Sequence, residues 1–221
     1  MIATISAPPM TLAELVHRLG DVPLDRIRLD PPPGIATVAD VARLSDAEPP
    51  CLCELVDGVL VVKVMGHEEA RLATWLSIYL GKYLEDHDIG IVAGADGPHE
   101  VLPELVRIPD VSFVAYENIP SDADHHMAVP DWIPTLAVEI LSKSNTKGEM
   151  ARKLQDYFNA GVLQVWYVDP IARTVRVFQA EREWLDLTDA DELDGGTILP
   201  GFRLSIREWF DRATRVRPSQ N

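Results

Sequence analysis

Cysteine is nearly missing from this 221-residue chain, which has only Cys51 and Cys53. In CLCEL they lie one residue apart, so on an extended strand they point the same way near the upper limit of disulfide reach. Neither a CxxC spacing nor further ligands of a redox or zinc site accompany them. They read as small core residues in a reducing compartment. Positive charge is also scarce: 20 Lys and Arg against 35 Asp and Glu leave a net charge of −15. That balance argues against a broad basic face for nucleic acid. Action on a polyanion would need a local basic patch, a metal ion or a partner. No stretch approaches the roughly 20 apolar residues of a membrane span. The amino-terminal MIATISAPPMTLAELV lacks a basic segment followed by an apolar one, so no signal peptide is evident. The expected location is the cytoplasm, without membrane association. Common catalytic signatures are missing as well: HEEAR lacks the second histidine of HExxH, and there is no GxSxG elbow or P-loop. DADELDGG fails the ligand spacing of an EF-hand, and DADHH reads as a solvated loop.

What is present is an ordinary globular composition, 47% hydrophobic and 25% charged, with enough length for one substantial core. Residues 1–48 read as a helical extension packing on the rest. TLAELVHRLG has helical spacing and Gly20 as its stop; a proline-stiffened loop then leads to a short helix from about Thr37. Residues 49–213 read as the main domain and 214–221 as a flexible tail. CLCELVDGVLVVKV predicts a hairpin turning at Asp57-Gly58. Residues 67–88 predict a long amphipathic helix, and IGIVAGA a strand leading through a loop to RIPDVSFV. After LAVEILS, Thr146 and Glu149 fit a capping box opening a helix that Gly161 ends. LQVWYVDP, RTVRVFQA and EWLDL predict further strands, and IREWFDRA a closing helix. The order predicts an α/β (mixed α+β) fold, a central mixed sheet flanked by helices.

Two acids stand out. RIPDVSFV (107–114) and LAVEILS (136–142) both read as buried strands, yet they carry Asp110 and Glu139 among aliphatic residues. A lone ionised carboxylate is costly to bury and calls for a cation, a metal or a shared proton. If the strands are neighbours, the carboxylates converge, and a hard cation such as Mg²⁺ takes one or two carboxylates plus waters and substrate phosphate. Structural acids paired with arginines would produce the same pattern. Helix geometry puts Lys153 at the flank of the Met150/Leu154/Tyr157 stripe. There it either reaches over the Glu139 strand to orient water or neutralise phosphate, or snorkels with its head in solvent.

CELVDGVLV (53–61), RIPDVSFV, LAVEILS, KLQDYFNAGVLQVWYVDP (153–170), TVRVF (174–178) and LDGGTILPGFRLSIREWF (193–210), in this order, resemble the Uma2 (DUF820) family of restriction-endonuclease-like proteins. That family lies within the PD-(D/E)XK nuclease superfamily. The resemblance covers about residues 51–212. It implies a restriction-endonuclease-like core and a Mg²⁺-dependent (or Mn²⁺-dependent) endonuclease acting on DNA. Asp110, Glu139 and the Ile140 carbonyl would be its metal ligands. The superfamily lysine two residues after the glutamate is here Leu141, and a displaced lysine aligns with Lys153; Lys143 and Lys147 remain alternatives. Glu54 and His67 also fit family positions. Glu54 either meets metal or water or is an exposed edge-strand acid; His67 is either catalytic or a helix N-cap. Arg107 either holds a phosphate or pairs with a neighbouring acid.

Three functions compete: this endonuclease, expected as a homodimer so that two sites serve two strands; a non-catalytic binding or assembly module on the same fold; and a phosphodiesterase for small nucleotides.

Overall fold

The computed structural model describes residues 11–215. Residues 1–10 of the amino-terminal reading and 216–221 of the expected tail lie outside the described residues, while Thr214 closes the last helix. Among the described residues no helix is long and apolar enough to cross a membrane.

Helix α1 (Leu12–Arg18) is opened by a full capping box between Thr11 and Glu14. Gly20 follows its end at φ 83, the left-handed conformation that glycine accepts without a Cβ penalty. After a 3₁₀ turn at Leu24–Arg26 comes α2 (Val38–Ser45), capped by Thr37. Strands β1 (Cys53–Val56) and β2 (Val59–Val62) form the hairpin. Asp57 and Gly58 stand at φ 51 and 69, the two positive angles of a type I′ turn. Then follow α3 (His67–Asp86), β3 (Gly90–Ala93), β4 (His99–Leu102), β5 (Leu105–Arg107), β6 (Val111–Ala115) and β7 (Leu136–Ile140). Helix α4 (Lys147–Ala160), β8 (Gln164–Asp169), β9 (Thr174–Ala180), β10 (Glu183–Thr188), β11 (Glu192–Asp194), β12 (Arg203–Ser205) and α5 (Ile206–Thr214) complete the chain.

The strands form two main sheets, ordered β2-β1-β5-β4 and β10-β9-β8-β7-β6-β3, with β11 and β12 as a separate pair. In the larger sheet only β7 and β8 run parallel, joined through α4; its other pairs are antiparallel. One face packs Val138, Ile140, Trp166 and Val177 with Leu72 and Leu76 of α3 and Trp209 of α5. The other lays Ala137, Val165 and Phe178 against Leu154 and Tyr157 of α4.

Three sequence expectations change here. RIPDVSFV is not one strand: Arg107 ends β5 in the smaller sheet, Val111 starts β6 in the larger, and Asp110 lies at the step between them. Pro109 has no N–H to give a ladder, so the chain leaves one sheet and enters the other at that point. The preceding loop also holds a β4–β5 hairpin that the sequence reading did not resolve. At α4, Thr146 does accept from the Glu149 amide at 3.0 Å. The reciprocal half of the capping box is replaced, because the Glu149 carboxylate takes the Arg26 guanidinium at 3.0 and 2.8 Å.

That Arg26–Glu149 pair ties the amino-terminal segment to α4, and Arg26 Nε also donates to the Val62 carbonyl at 2.9 Å. Nearby, Gly20 and Gly148 approach so closely that a Cβ on Gly148 would lie 2.7 Å from the Gly20 oxygen. Leu15, Leu19, Val22 and Ile27 pack on Val56, Val59 and Val61 of the hairpin. His99 ties the two sheets together: Nδ1 bonds the Trp132 carbonyl at 3.0 Å and Nε2 the Ser112 hydroxyl at 2.9 Å. Since a carbonyl only accepts, Nδ1 carries the proton of a neutral ring and Ser112 donates to Nε2.

Two predictions follow from these ties. Arg26→Met leaves the buried Glu149 charge without its cation, and urea unfolding should show a loss of about 3–5 kcal/mol. Burial pushes His99 down from 6.5 to about 4, against the Trp132 bond that favours its proton. Protonation therefore favours the unfolded chain. Stability should fall as pH drops through the window from 6.5 to about 4, by about 3 kcal/mol from this group. Subtracting the pH profile of His99→Gln from that of the wild type isolates the contribution.

Candidate active site

The acids meet where the two sheets and α4 converge. Asp110 brackets Glu139: its amide donates to the Val138 carbonyl at 2.9 Å, and its Oδ2 accepts from the Ile140 amide at 2.6 Å. The step at Pro109 creates this arrangement, with a carboxylate serving an amide at the strand end. Oδ1 of Asp110 meets Lys63 Nζ at 2.8 Å, and that ammonium also donates to the Ile108 carbonyl at 2.5 Å. Glu139 receives Lys153 Nζ on both oxygens at 3.0 Å and the Tyr157 hydroxyl at 2.6 Å. Lys153 also lies 2.9 Å from Glu54 Oε1, so one ammonium joins a strand of each sheet.

A second layer holds Glu54. Its Oε2 pairs with Arg107 Nη1 at 2.7 Å and its Oε1 accepts from the Ile108 amide at 3.2 Å. Arg107 turns its remaining edge to Asp156, through Nε at 3.1 Å and through Nη2. The cluster is closed to solvent: Glu54, Asp110, Glu139 and Lys153 are 2%, 5%, 4% and 4% exposed.

The network balances only when it is followed outward. Glu54, Asp110, Glu139 and Asp156 face Lys63, Arg107 and Lys153; Asp57 adds a fifth acid, and Arg152 and Arg18, at 2.9 and 3.1 Å from it, the fourth and fifth bases. Within the cluster the Glu139 carboxyl is raised by burial and by Asp110 despite the opposing pull of Lys153. At Glu54 burial also acts upward, but Lys153 and Arg107 outweigh it and hold the carboxyl well below the usual range. Lys153 is raised: burial disfavours its charge, and Glu139 and Glu54 more than restore it.

Among the described residues no three His, Cys, Asp or Glu side chains are grouped to hold an ion by themselves. Mg²⁺ does not require three, since it keeps several waters and takes one or two carboxylates together with substrate oxygens. Asp110 and Glu139 supply hard oxygen donors close enough for Asp110 to raise the Glu139 carboxyl, so the residues present fit such an ion. Binding it would exchange contacts now made by Lys63, Lys153 and Tyr157.

The other sequence candidates are placed as follows. Glu54 is on an inner strand and buried, not an exposed edge acid. Lys153 turns inward instead of snorkelling. Arg107 shows the second of its two readings, a partner for acids. Ile140 engages Asp110 through its amide. His67 is exposed and opens α3, with Gly66 as the N-cap, and it lines a cleft beside the cluster together with Lys143 and Lys147. The sequence reading missed Lys63 and Asp156 and took Tyr157 only as apolar packing. A signal for Lys63 existed: it is the sole charge in VLVVKV.

Lys153→Met should leave Glu139 and Glu54 short of a cation and cost about 3–5 kcal/mol in urea unfolding. Adding Glu139→Gln to that variant should recover about 1–3 kcal/mol, the coupling of residues in contact.

Comparisons with known proteins bear on the fold and the family. The family model for Uma2, described as "Putative restriction endonuclease", matches residues 38–207. A crystal structure of "a putative nuclease belonging to DUF820" from Anabaena variabilis ATCC 29413 superposes with a TM-score of 0.68. It shares 17% sequence identity, over 80% of this chain and 98% of that one, which establishes a shared fold. The comparison with curated proteins returns no match. With the family model spanning most of its length, this chain belongs to the Uma2 family.

Proposed function

We propose that the protein is a metal-dependent nuclease that hydrolyses phosphodiester bonds of DNA, with Asp110 and Glu139 as its ion-binding carboxylates. The observation that carries this reading is their convergence in one buried cluster, each beside a lysine. Family membership supports it. Mg²⁺, or Mn²⁺ in its place, would be held by Asp110, Glu139 and the Ile140 carbonyl. When bound it would polarise the phosphate and make water a better nucleophile.

The chain's own groups divide the remaining work. Asp110 is oriented by the Ile140 amide and Lys63, and Glu139 by Tyr157 and Lys153. Lys153 keeps its proton at working pH, so it acts as a fixed positive charge that steers water and offsets charge developing on the phosphate. Glu54 and Arg107 hold Lys153 in position. His67, in the cleft lining, is an outer contact for substrate. A cytoplasmic homodimer would carry two such centres.

A second reading is favoured by one observation: all four oxygens of Asp110 and Glu139 already have internal partners. On that reading the cluster is a structural ion network in a non-catalytic module.

The deciding assay is cleavage of supercoiled plasmid, single-stranded DNA and RNA with Mg²⁺ or Mn²⁺, beside calorimetric metal titration. Wild-type cutting should fall by at least a factor of about 100 in Asp110→Ala and Glu139→Ala, a loss like that of a transition-state charge stabiliser. Cutting that survives both substitutions would remove these acids from the mechanism. Neither cutting nor metal binding would establish the structural network instead.

A further inference from the structure

A cleft of ≈ 990 Å³ opens beside the buried cluster, between the first turns of α3 and α4 and the ends of β7 and β8. Leu141, two residues beyond Glu139 on the same strand, lines it. Its wall includes Tyr167, paired in register with Glu139, and Arg176, paired in turn with Tyr167. Cleft and acids therefore share one row across the sheet.

Lysine, as distinct from arginine, gathers here. Of five lysines in a chain of net −15, Lys63 and Lys153 are in the cluster and Lys143 and Lys147 line the cleft. Both cleft lysines are exposed, and among the described residues neither makes an ion pair. Two of the three lining acids are turned to local tasks. Asp169 accepts from the Ile171 and Ala172 amides at 2.9 Å, and Glu69 folds back so that a Cβ on Gly66 would lie 2.2 Å from its Oε2. Glu68 is left facing two uncommitted ammonium groups.

The opposite wall is aromatic. Tyr167 and Phe178 meet edge to face at 5.1 Å between centroids, and Phe178 continues to Trp184 at 6.0 Å. Trp184 is 48% exposed on the outer strand β10. Arg176, held by Asp186 at 2.6 and 3.0 Å, lies over the Trp184 ring at 5.1 Å. The row thus ends in a braced aromatic and guanidinium surface.

We infer that this cleft binds a single-stranded nucleic acid, with Lys143 and Lys147 on its phosphates and its bases running past Tyr167 onto the exposed Trp184 and Arg176 surface at the end of the row. The inference rests on the phosphodiesterase reading for what happens to the strand once bound. Aromatic surfaces beside cations suit unpaired bases, whose faces are free to stack. A duplex hides those faces and carries a charge about every 1.7 Å, against about 3.4 Å for one strand. Two free lysines in an acidic molecule match the sparser charge.

The test is fluorescence anisotropy in EDTA, so that binding is read without cleavage. The probes are a short labelled DNA strand, an RNA strand of the same sequence and the corresponding DNA duplex, with adenosine monophosphate as competitor. At least one single strand should bind about tenfold or more tighter than the duplex, and the stronger of the two identifies the sugar. Lys143→Ala/Lys147→Ala should weaken that binding about tenfold and lower its log–log salt slope by about 1.4, at about 0.7 per phosphate contact; the double arginine variant should restore it. Trp184→Ala should also cost about tenfold, with Trp184→Phe near wild type and both melting as the wild type does. The inference is overturned by equal or tighter duplex binding, by variants that bind as the wild type does, or by binding of the mononucleotide alone or of nothing. Strand binding without cleavage once Mg²⁺ is added would sustain the cleft and sink the nuclease. Cleavage indifferent to Lys143, Lys147 and Trp184 would do the reverse.

Discussion

The Lys153 ammonium, within 3.0 Å of both Glu139 oxygens and 2.9 Å of Glu54, is the contact on which the architecture turns. Glu54 belongs to the smaller sheet, Glu139 to the larger, and Lys153 to the helix between β7 and β8. Three elements that share no ladder are thus joined by one charge. Hydrophobic burial brings sheets and helix together without regard to exact direction. The ion network, with fixed donors and acceptors, sets the position to a fraction of an ångström. Arg107 and Asp156 extend the same restraint outward, and Tyr157 closes it from above.

Such a network is a poor source of net stability, because taking several ions from water costs several kcal/mol each. Its arrangement is more informative than its size, because it brings two carboxylates, Asp110 and Glu139, to one point. Its lysines occupy the place that a hard cation would share, and the cleft beside them collects two more. The acidity of the whole molecule is compatible with a polyanionic substrate where these lysines offer it a local contact.

Much of this arrangement was legible in the sequence because it rests on local rules. The Asp57-Gly58 turn, the Thr146 cap, Gly161 after α4 and the apolar stripes of α3 and α4 follow from backbone preference and periodicity. Asp110, Glu139 and Lys153 were conspicuous as charges in aliphatic surroundings. The break at Pro109 was less so, because alternation of side chains does not reveal that a strand changes sheets. Partner choice was illegible for a different reason. Arg26 meets Glu149 and Lys63 meets Asp110 across long stretches of chain, and nothing local distinguishes these residues from solvated ones. The same distance hid the role of Tyr157, whose ring satisfies the apolar pattern while its hydroxyl serves Glu139.

The Arg26–Glu149 bond spans 123 residues. On a ribosome adding about 5–20 residues per second, Arg26 is made some 6–25 s before its partner. For that interval the amino-terminal segment and the β1–β2 hairpin have no helix α4 to close against, and their apolar surface is open to chaperones. When α4 emerges, Glu149 fixes the leading segment and Lys153, one helical turn further on, draws the two sheets together. The contact that anchors the leading segment is thus made by the same helix that completes the centre, so a chain stopped before α4 carries Glu54 and Glu139 without their lysine.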